Sequence, residues 1–316
     1  MNATERSIFG QFEYWRALPS VPEMAQPGQI YAVVGCGSSF YLATTIAAAL
    51  NVNGYLATPV PGHEWTVRPG TYLASPDVTV IAISRSGEST GTVAAAWASR
   101  ERGQRVIAIS CEPQSTLVRE AETALVASTH PDEGIVMTSS ASLMLLLGLR
   151  FARHQLDTDD LATRAESLLR DLSQAPTDWM RGRRHLVFLG GGALYGIASE
   201  AALKAMEMRC SVTQAFHPLE YRHGPISLAD ESMAAVVLYG NDAAAEARLA
   251  SELQRLGATV AGFGGPGDIS LPLDGHETIR AVITLPALQW LGEILARHKG
   301  LDTATPRHLS KVVQFG

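Results

Sequence analysis

The chain has 316 residues, 46% apolar and 18% charged, which is enough for two ordinary domains with sizeable cores and is not a disordered composition. A formal net charge of −6 argues against nucleic acid or an anionic membrane as the main partner, because both require basic surface to neutralise phosphate. The start, Met1 to Arg6, lacks the apolar core of a signal peptide, and the longest strongly apolar run, Leu143 to Leu147, falls far short of the roughly 20 residues that span a bilayer. A cytoplasmic protein is expected. Cys36, Cys111 and Cys210 are odd in number, widely spaced and without a Cys-x-x-Cys pair, which fits a reducing compartment and neither a disulfide framework nor a zinc site.

In chain order, the first strand-like run is Ile30 to Val34. It ends in Gly35-Cys36-Gly37-Ser38-Ser39 before an alanine-rich helix from Leu42 to Leu50. The next run, Val78 to Ile83, delivers Ser84-Arg85-Ser86-Gly87-Glu88-Ser89-Thr90 to the start of a helix running from Gly91 into Trp97. Hydroxyls and free N–H groups at a helix N-terminus favour an anion, so this turn reads as a phosphate cradle; the same serines also suit a simple N-cap. Two strands ending in small polar turns tip the balance to an anion site, since loops at the carboxyl ends of neighbouring parallel strands converge on one ligand. The Gly-x-Gly turn lacks a third glycine, and no Gly-Lys-Ser/Thr follows, so nucleotide binding is disfavoured. Cys36 is expected to line the pocket as a small side chain.

After the cap-like Asp157-Thr158-Asp159-Asp160, Leu161, Ala165, Leu168, Leu169 and Leu172 follow a helical period and predict a connecting helix that ends before Pro176. Beyond it the opening pattern returns. The strand ending at Gly35 reappears as His185 to Leu189, ending in Gly190-Gly191-Gly192. The same displacement carries Thr79–Ile83 onto Ala234–Leu238 and Val106–Ile109 onto Ala261–Gly264. This predicts a duplication of β-α units, each half a doubly wound parallel sheet. The positions matching Ser84 to Ser89 are Tyr239 to Ala244, which have lost the hydroxyls and gained Asp242, so one phosphate site per chain is expected.

Glu200, Lys204 and Glu207 share one helical stripe, which taken alone reads as a solvated ion-pair face in preference to a site. His217-Pro218-Leu219-Glu220-Tyr221-Arg222-His223-Gly224-Pro225 is rich in potential ligands. Pro218 prevents a single helix from aligning its two histidines, however, so no metal is expected, and His223 reads as a loop imidazole suited to proton transfer. The last residues, Thr305 to Gly316, are too apolar for a frayed end and are expected to dock; docking can partly desolvate a lysine and open imine chemistry to it, but taken alone Lys311 reads as a solvated lysine on a terminus.

Taken together, Gly35-Cys36-Gly37-Ser38-Ser39, Ser84 to Ser89, Glu200 to Glu207, Arg222-His223-Gly224-Pro225 and Pro306-Arg307-His308-Leu309-Ser310-Lys311 resemble the sugar isomerase (SIS) family. The likeness is to the tandem-domain isomerase half of glucosamine-6-phosphate synthase and its stand-alone relatives. The resemblance implies an α/β fold of two doubly wound, flavodoxin-like parallel-sheet domains. Its parts are a helical segment over 1–27, a first SIS domain over 28–155, a helical linker over 156–180, a second SIS domain over 181–300 and an active-site tail over 301–316. It implies that Ser38, Ser39, Ser84, Ser86 and Ser89 hold a sugar phosphate with backbone from Arg85. Glu207 would move a proton between C1 and C2, Lys204 would assist, His223 would open the ring and Lys311 would lie where the family's imine-forming lysine lies. No cofactor and no metal are implied, and a loop histidine borrowed from a neighbouring subunit implies a homodimer.

The 29 residues before the first strand are too few for a glutaminase, Arg85 stands where the synthase has glutamine, and Gly134 to Ser140 lacks the synthase's lysine. The expected reaction is therefore amine release from glucosamine 6-phosphate. A fructosamine-6-phosphate deglycase, a plain phosphosugar isomerase and a non-catalytic sugar-phosphate sensor are the alternatives. A sensor needs only the cradle, whereas this chain also has Glu207, His223 and Lys311.

Overall fold

A computed structural model describes residues 1–72 and 74–313; the final three residues of the predicted tail lie outside the described part. Its contacts divide the chain into two units. One comprises Gly10–Asp159 with the tail from Ser310, and the other comprises Met1–Phe9 with Asp160–Leu309. The helix α1 (Ala3–Arg16) therefore contributes to both.

The first unit is built on a parallel sheet of β1 (Ile30–Gly35), β2 (Leu56–Pro61), β3 (Val78–Ile83), β4 (Val106–Ser110) and β5 (Thr123–Val126), in the order β2-β1-β3-β4-β5. The central strands are buried on both faces, which is why β3 is apolar along its length instead of alternating. On one face Ala32, Val34, Val80, Ala82, Val106 and Ala108 pack with Trp65 of α3 (Gly62–Val67), Val93 and Ala96 of α4 (Thr90–Glu101) and Leu117 of α5 (Thr116–Glu120). The apolar helices α2 (Ser38–Val52) and α6 (Ser139–Phe151) pack against each other, α2 also lying on β1 and β2 and α6 on β4.

The second unit opens with the predicted connecting helix, α7 (Thr158–Gln174). It repeats the plan with β6 (His185–Gly190), β7 (Thr213–Phe216), β8 (Met233–Leu238), β9 (Thr259–Phe263) and β10 (Ile269–Leu271), joined as β7-β6-β8-β9-β10. The helix α8 (Ala193–Arg209) follows β6, α9 (Ala243–Arg255) follows β8, and α10 (Glu277–His298) packs along α8. The two orders are the same doubly wound plan, and the likeness reaches single dihedrals. The glycines opening α2 and α8 are Gly37, with φ 57° and ψ −128°, and Gly192, with φ 53° and ψ −127°. Those angles are open to glycine and costly for other residues.

One detail of the predicted repeat is corrected. Val80 pairs with Val106, but its counterpart Ala235 pairs with Val260 and not with Ala261, so the segment between these strands is one residue shorter in the second copy. Among the described residues α10 alone has the length and apolar character to cross a membrane, and 89% of that stretch is buried inside the fold.

Candidate active site

Gly35 of β1 and Ile83 of β3 are register partners, so the turns that follow them leave the sheet side by side at the point where the strand order reverses. Their contact is direct: Thr92 Oγ1 lies 3.5 Å from Cys36 Sγ. Ser38 and Ser39 form the first turn of α2 and are buried, as are Ser84 and Arg85, while Ser86 and Ser89 are half-exposed. Ser84 Oγ accepts from Gly87 N at 3.1 Å, and Ser86 Oγ accepts from Glu88 N at 3.2 Å. A hydroxyl that accepts one bond keeps its own O–H to donate, so the loop is rigidified while both serines stay able to donate to an anion. Ser89 is the N-cap of α4 and makes no side-chain cap bond, which leaves its hydroxyl unspent on the helix.

The tail docks against the same turn. Val313 O accepts from Thr90 N at 3.2 Å, and Lys311 O accepts from Arg85 Nη2 at 3.1 Å. The Arg85 side chain thus ties this turn to the tail. Lys311 itself stays exposed, with Nζ 3.4 Å from Glu133 O.

Sequence reasoning passes over Glu133, which is 4% exposed and anchors the start of α6. One of its carboxylate oxygens accepts from Ser140 N at 3.1 Å, from Ser140 Oγ at 2.9 Å and from the N–H of Thr138, and the other accepts from Thr129 Oγ1 at 2.6 Å. The only available signal was an acid five residues before the N-cap Thr138. Beside this group, burial and then the nearby Glu133 push the Cys111 thiol well above the usual range.

In the second unit the stripe on α8 is not a solvated face. Glu200 is 0% and Lys204 1% exposed, and Glu207 is half-buried. Lys204 Nζ lies 3.5 Å from Glu200 Oε1 and pairs closely with Glu207 Oε2. A buried lysine between two carboxylates costs desolvation that apolar side chains of similar volume would avoid, so stability does not explain the triad. His223 is exposed at the end of a short helical turn, Leu219–Arg222, in the loop after β7. His217 stacks on Tyr195, with ring centroids 4.1 Å apart. Among the described residues no group of histidine, cysteine, aspartate and glutamate is arranged to hold a metal.

The counterpart of the serine cradle is filled by the protein itself. Gly240 N donates to Glu246 Oε2 at 2.7 Å, and Asn241 N donates to Glu277 Oε1 at 2.9 Å. A methyl group on Gly240 would sit 2.5 Å from that same Glu277 oxygen. Two carboxylates stand where an anion would be held, so this turn has no room or charge for phosphate. Burial raises the proton affinity of Glu246, and the charges of Glu277 and Asp242 raise it further, against its bond from Gly240 N and the charge of Arg280.

Residues 23–152 match the SIS domain family. The glutamine–fructose-6-phosphate aminotransferase (isomerizing) of Pyrobaculum aerophilum is 28% identical over 89% of this chain, which corresponds to 50% of that protein. The chain spans about half the length of the curated relatives it matches. A solved glucosamine-6-phosphate deaminase from Thermotoga maritima superposes with a TM-score of 0.82 at 27% identity, covering 99% of both chains. The tagatose-6-phosphate ketose/aldose isomerase of Escherichia coli has the same fold, with a TM-score of 0.81 at 24% identity over 95% of this chain and 93% of that one. The SIS match thus falls within the first unit, and over most of its length the chain is similar to proteins described as acting on sugar phosphates.

Proposed function

We propose that the chain is a phosphosugar isomerase that releases ammonia, converting glucosamine 6-phosphate and water to fructose 6-phosphate and ammonia. The observation that carries this reading is the buried triad Glu200, Lys204 and Glu207, a charged cluster retained where apolar packing would be more stable. The full-length likeness to a protein described as a glucosamine-6-phosphate deaminase supports the choice of substrate. Composition supports it too. Only three of the 25 basic residues are lysines, and two of these are Lys204 and Lys311, so in a chain that otherwise uses arginine an amine is kept at the positions implicated in proton transfer and imine formation.

In this reading the hydroxyls of Ser38, Ser39, Ser84, Ser86 and Ser89 hold the phosphate and fix the register of the sugar. His223 moves the proton from the C1 hydroxyl to the ring oxygen, which frees the C1 aldehyde. Glu207 takes the C2 proton, the C2–H electrons form the C1–C2 double bond of an enolamine, and the C1=O electron pair moves to O1, which takes up a proton from solvent. Glu207 then returns the proton to C1, and C2 becomes an imine. Water adds at C2, ammonia leaves and the ketone remains, so one water is consumed and no oxidant is needed. The Lys204 ammonium pairs with Glu207 and holds its carboxyl group in place on α8. Lys311 is the amine available to hold a ketose as an imine in the reverse direction. The exposure of His223 suits a residue lent to a second copy of the chain, and the enzyme is proposed to act as a homodimer.

The test is ammonia release from glucosamine 6-phosphate with stoichiometric fructose 6-phosphate. Absence of both products at micromolar enzyme would contradict the reading.

A further inference from the structure

The proposed reaction leaves unused a basic cluster at the opposite, amino-terminal end of the strands β6 and β7. Arg181, Arg183 and Arg184 precede β6, Arg209 closes α8, and His298 and Lys299 close α10. These six side chains line one cavity of about 410 Å3, and among the described residues no carboxylate lines it. Asp178 pairs with Arg181 Nε at 3.1 Å, with both side chains well exposed.

Cations at helix C-termini are ordinary partners of the helix dipole, which accounts for one positive charge at the end of α8 and one at the end of α10. It does not account for three further arginines, and it does not account for Arg209. That side chain is 4% exposed, and its Nη2 donates to Arg183 O at 2.7 Å. Among the described residues its buried Nε and Nη1 have no hydrogen-bond partner, and neither has the buried Nδ1 of His298. A guanidinium has five N–H donors and no acceptor, so leaving two nitrogens buried and unbonded is a cost that no protein group offsets here. The cations also disfavour one another. Burial lowers the basicity of Arg209. Burial and then the Arg209 charge lower that of Lys299, while burial and then Arg181 lower that of His298 against the opposing charge of Asp178. Lys299 is the third of the chain's three lysines.

We propose that this cavity is a second anion site that takes phosphate, free or as the terminal group of a small ester, with Arg209 at its base and Arg181, Arg184 and Lys299 around its mouth. The site supplies what the cluster lacks: oxygen acceptors for the Arg209 donors and negative charge for the crowded cations. Its position separates it from the serine cradle, which lies at the carboxyl end of the other sheet. It also stands independently of the proposed reaction, since a chain that turned over no amino-sugar phosphate would still bind here.

The experiment is calorimetric titration of the full chain with inorganic phosphate at constant ionic strength, alongside thermal unfolding with phosphate or with chloride. A Ser86→Ala background is used so that the cradle contributes little. The proposal expects saturable binding and a rise in Tm with phosphate that chloride does not give. Arg181→Ala with Arg184→Ala, both at exposed positions, should weaken binding about tenfold or more, and Arg209→Gln should abolish it. Because Arg209→Gln could also disturb the fold, the exposed double variant carries the decision. Equal affinity in that variant, no binding in the Ser86→Ala background, or an equal rise in Tm with chloride would each overturn the proposal.

Discussion

Arg85 ties the turn after β3 to the end of the chain: its Nη2 donates to Lys311 O at 3.1 Å and its Nη1 donates to Gly134 O at 2.9 Å. One buried guanidinium therefore holds the cradle, the loop before α6 and the tail in a single arrangement. Arg85→Ala is predicted to release the tail, because a hydrogen bond to a charged group is worth about 1.5–3 kcal/mol and two are lost together. Carboxypeptidase digestion should remove the last residues of the variant at least several-fold faster than those of the parent. Identical digestion rates would show that the tail is held by other contacts.

Gly87 has φ +62°, and a methyl group there would lie 2.0 Å from Ser115 Oγ. Gly87→Ala therefore combines an unfavourable backbone conformation, about 1–2 kcal/mol, with a clash against a buried side chain. Denaturant unfolding should show a loss of about 2–4 kcal/mol together with weaker binding of sugar phosphate. A stable variant with unchanged affinity would contradict the described turn.

Ser86→Ala removes a hydroxyl whose O–H remains available to an anion. Binding of substrate or phosphate at the cradle is expected to weaken by about 1–3 kcal/mol, read as a rise in Kd or KM with little change in Tm. An unchanged constant would remove Ser86 from the site.

The fold was legible because the parallel strands are short apolar runs that end in glycine and serine, and because the duplication preserves even the glycine angles at Gly37 and Gly192. The offset slips by one at Val260 because a shortened connection leaves no mark in a smooth apolar strand. Pairings between distant residues were not legible. Nothing near Arg85 in the sequence announces Lys311, and nothing near Gly240 announces Glu277. The stripe Glu200, Lys204, Glu207 was visible, but its burial was not, since Glu–Lys pairs at this spacing look the same on a wet surface and under a packed helix such as α10.

Glu246 gives a pH dependence of defined sign. Its folded pKa is raised by burial and by neighbouring acids, so the native state binds its proton more tightly than the unfolded chain. Its contribution is therefore fully present below the ordinary carboxylate value and is lost as pH rises through the raised one. Glu246→Gln lacks this titration while keeping an acceptor for Gly240 N. The stability of the parent relative to the variant should fall as pH rises across that window, and parallel stability curves would contradict the assignment.

The most direct test of the central claim is product formation by the parent and by Glu207→Gln from a panel of 2-amino and 2-keto sugar 6-phosphates. The amide keeps the size of the side chain and can still bond to Lys204, but it cannot take a proton from carbon. The parent should release ammonia and fructose 6-phosphate from glucosamine 6-phosphate. Glu207→Gln should bind the same substrate with similar affinity and turn it over slower by about 10² to 10⁴. Equal turnover by both proteins would contradict proton transfer by Glu207, and with it the isomerase-type mechanism.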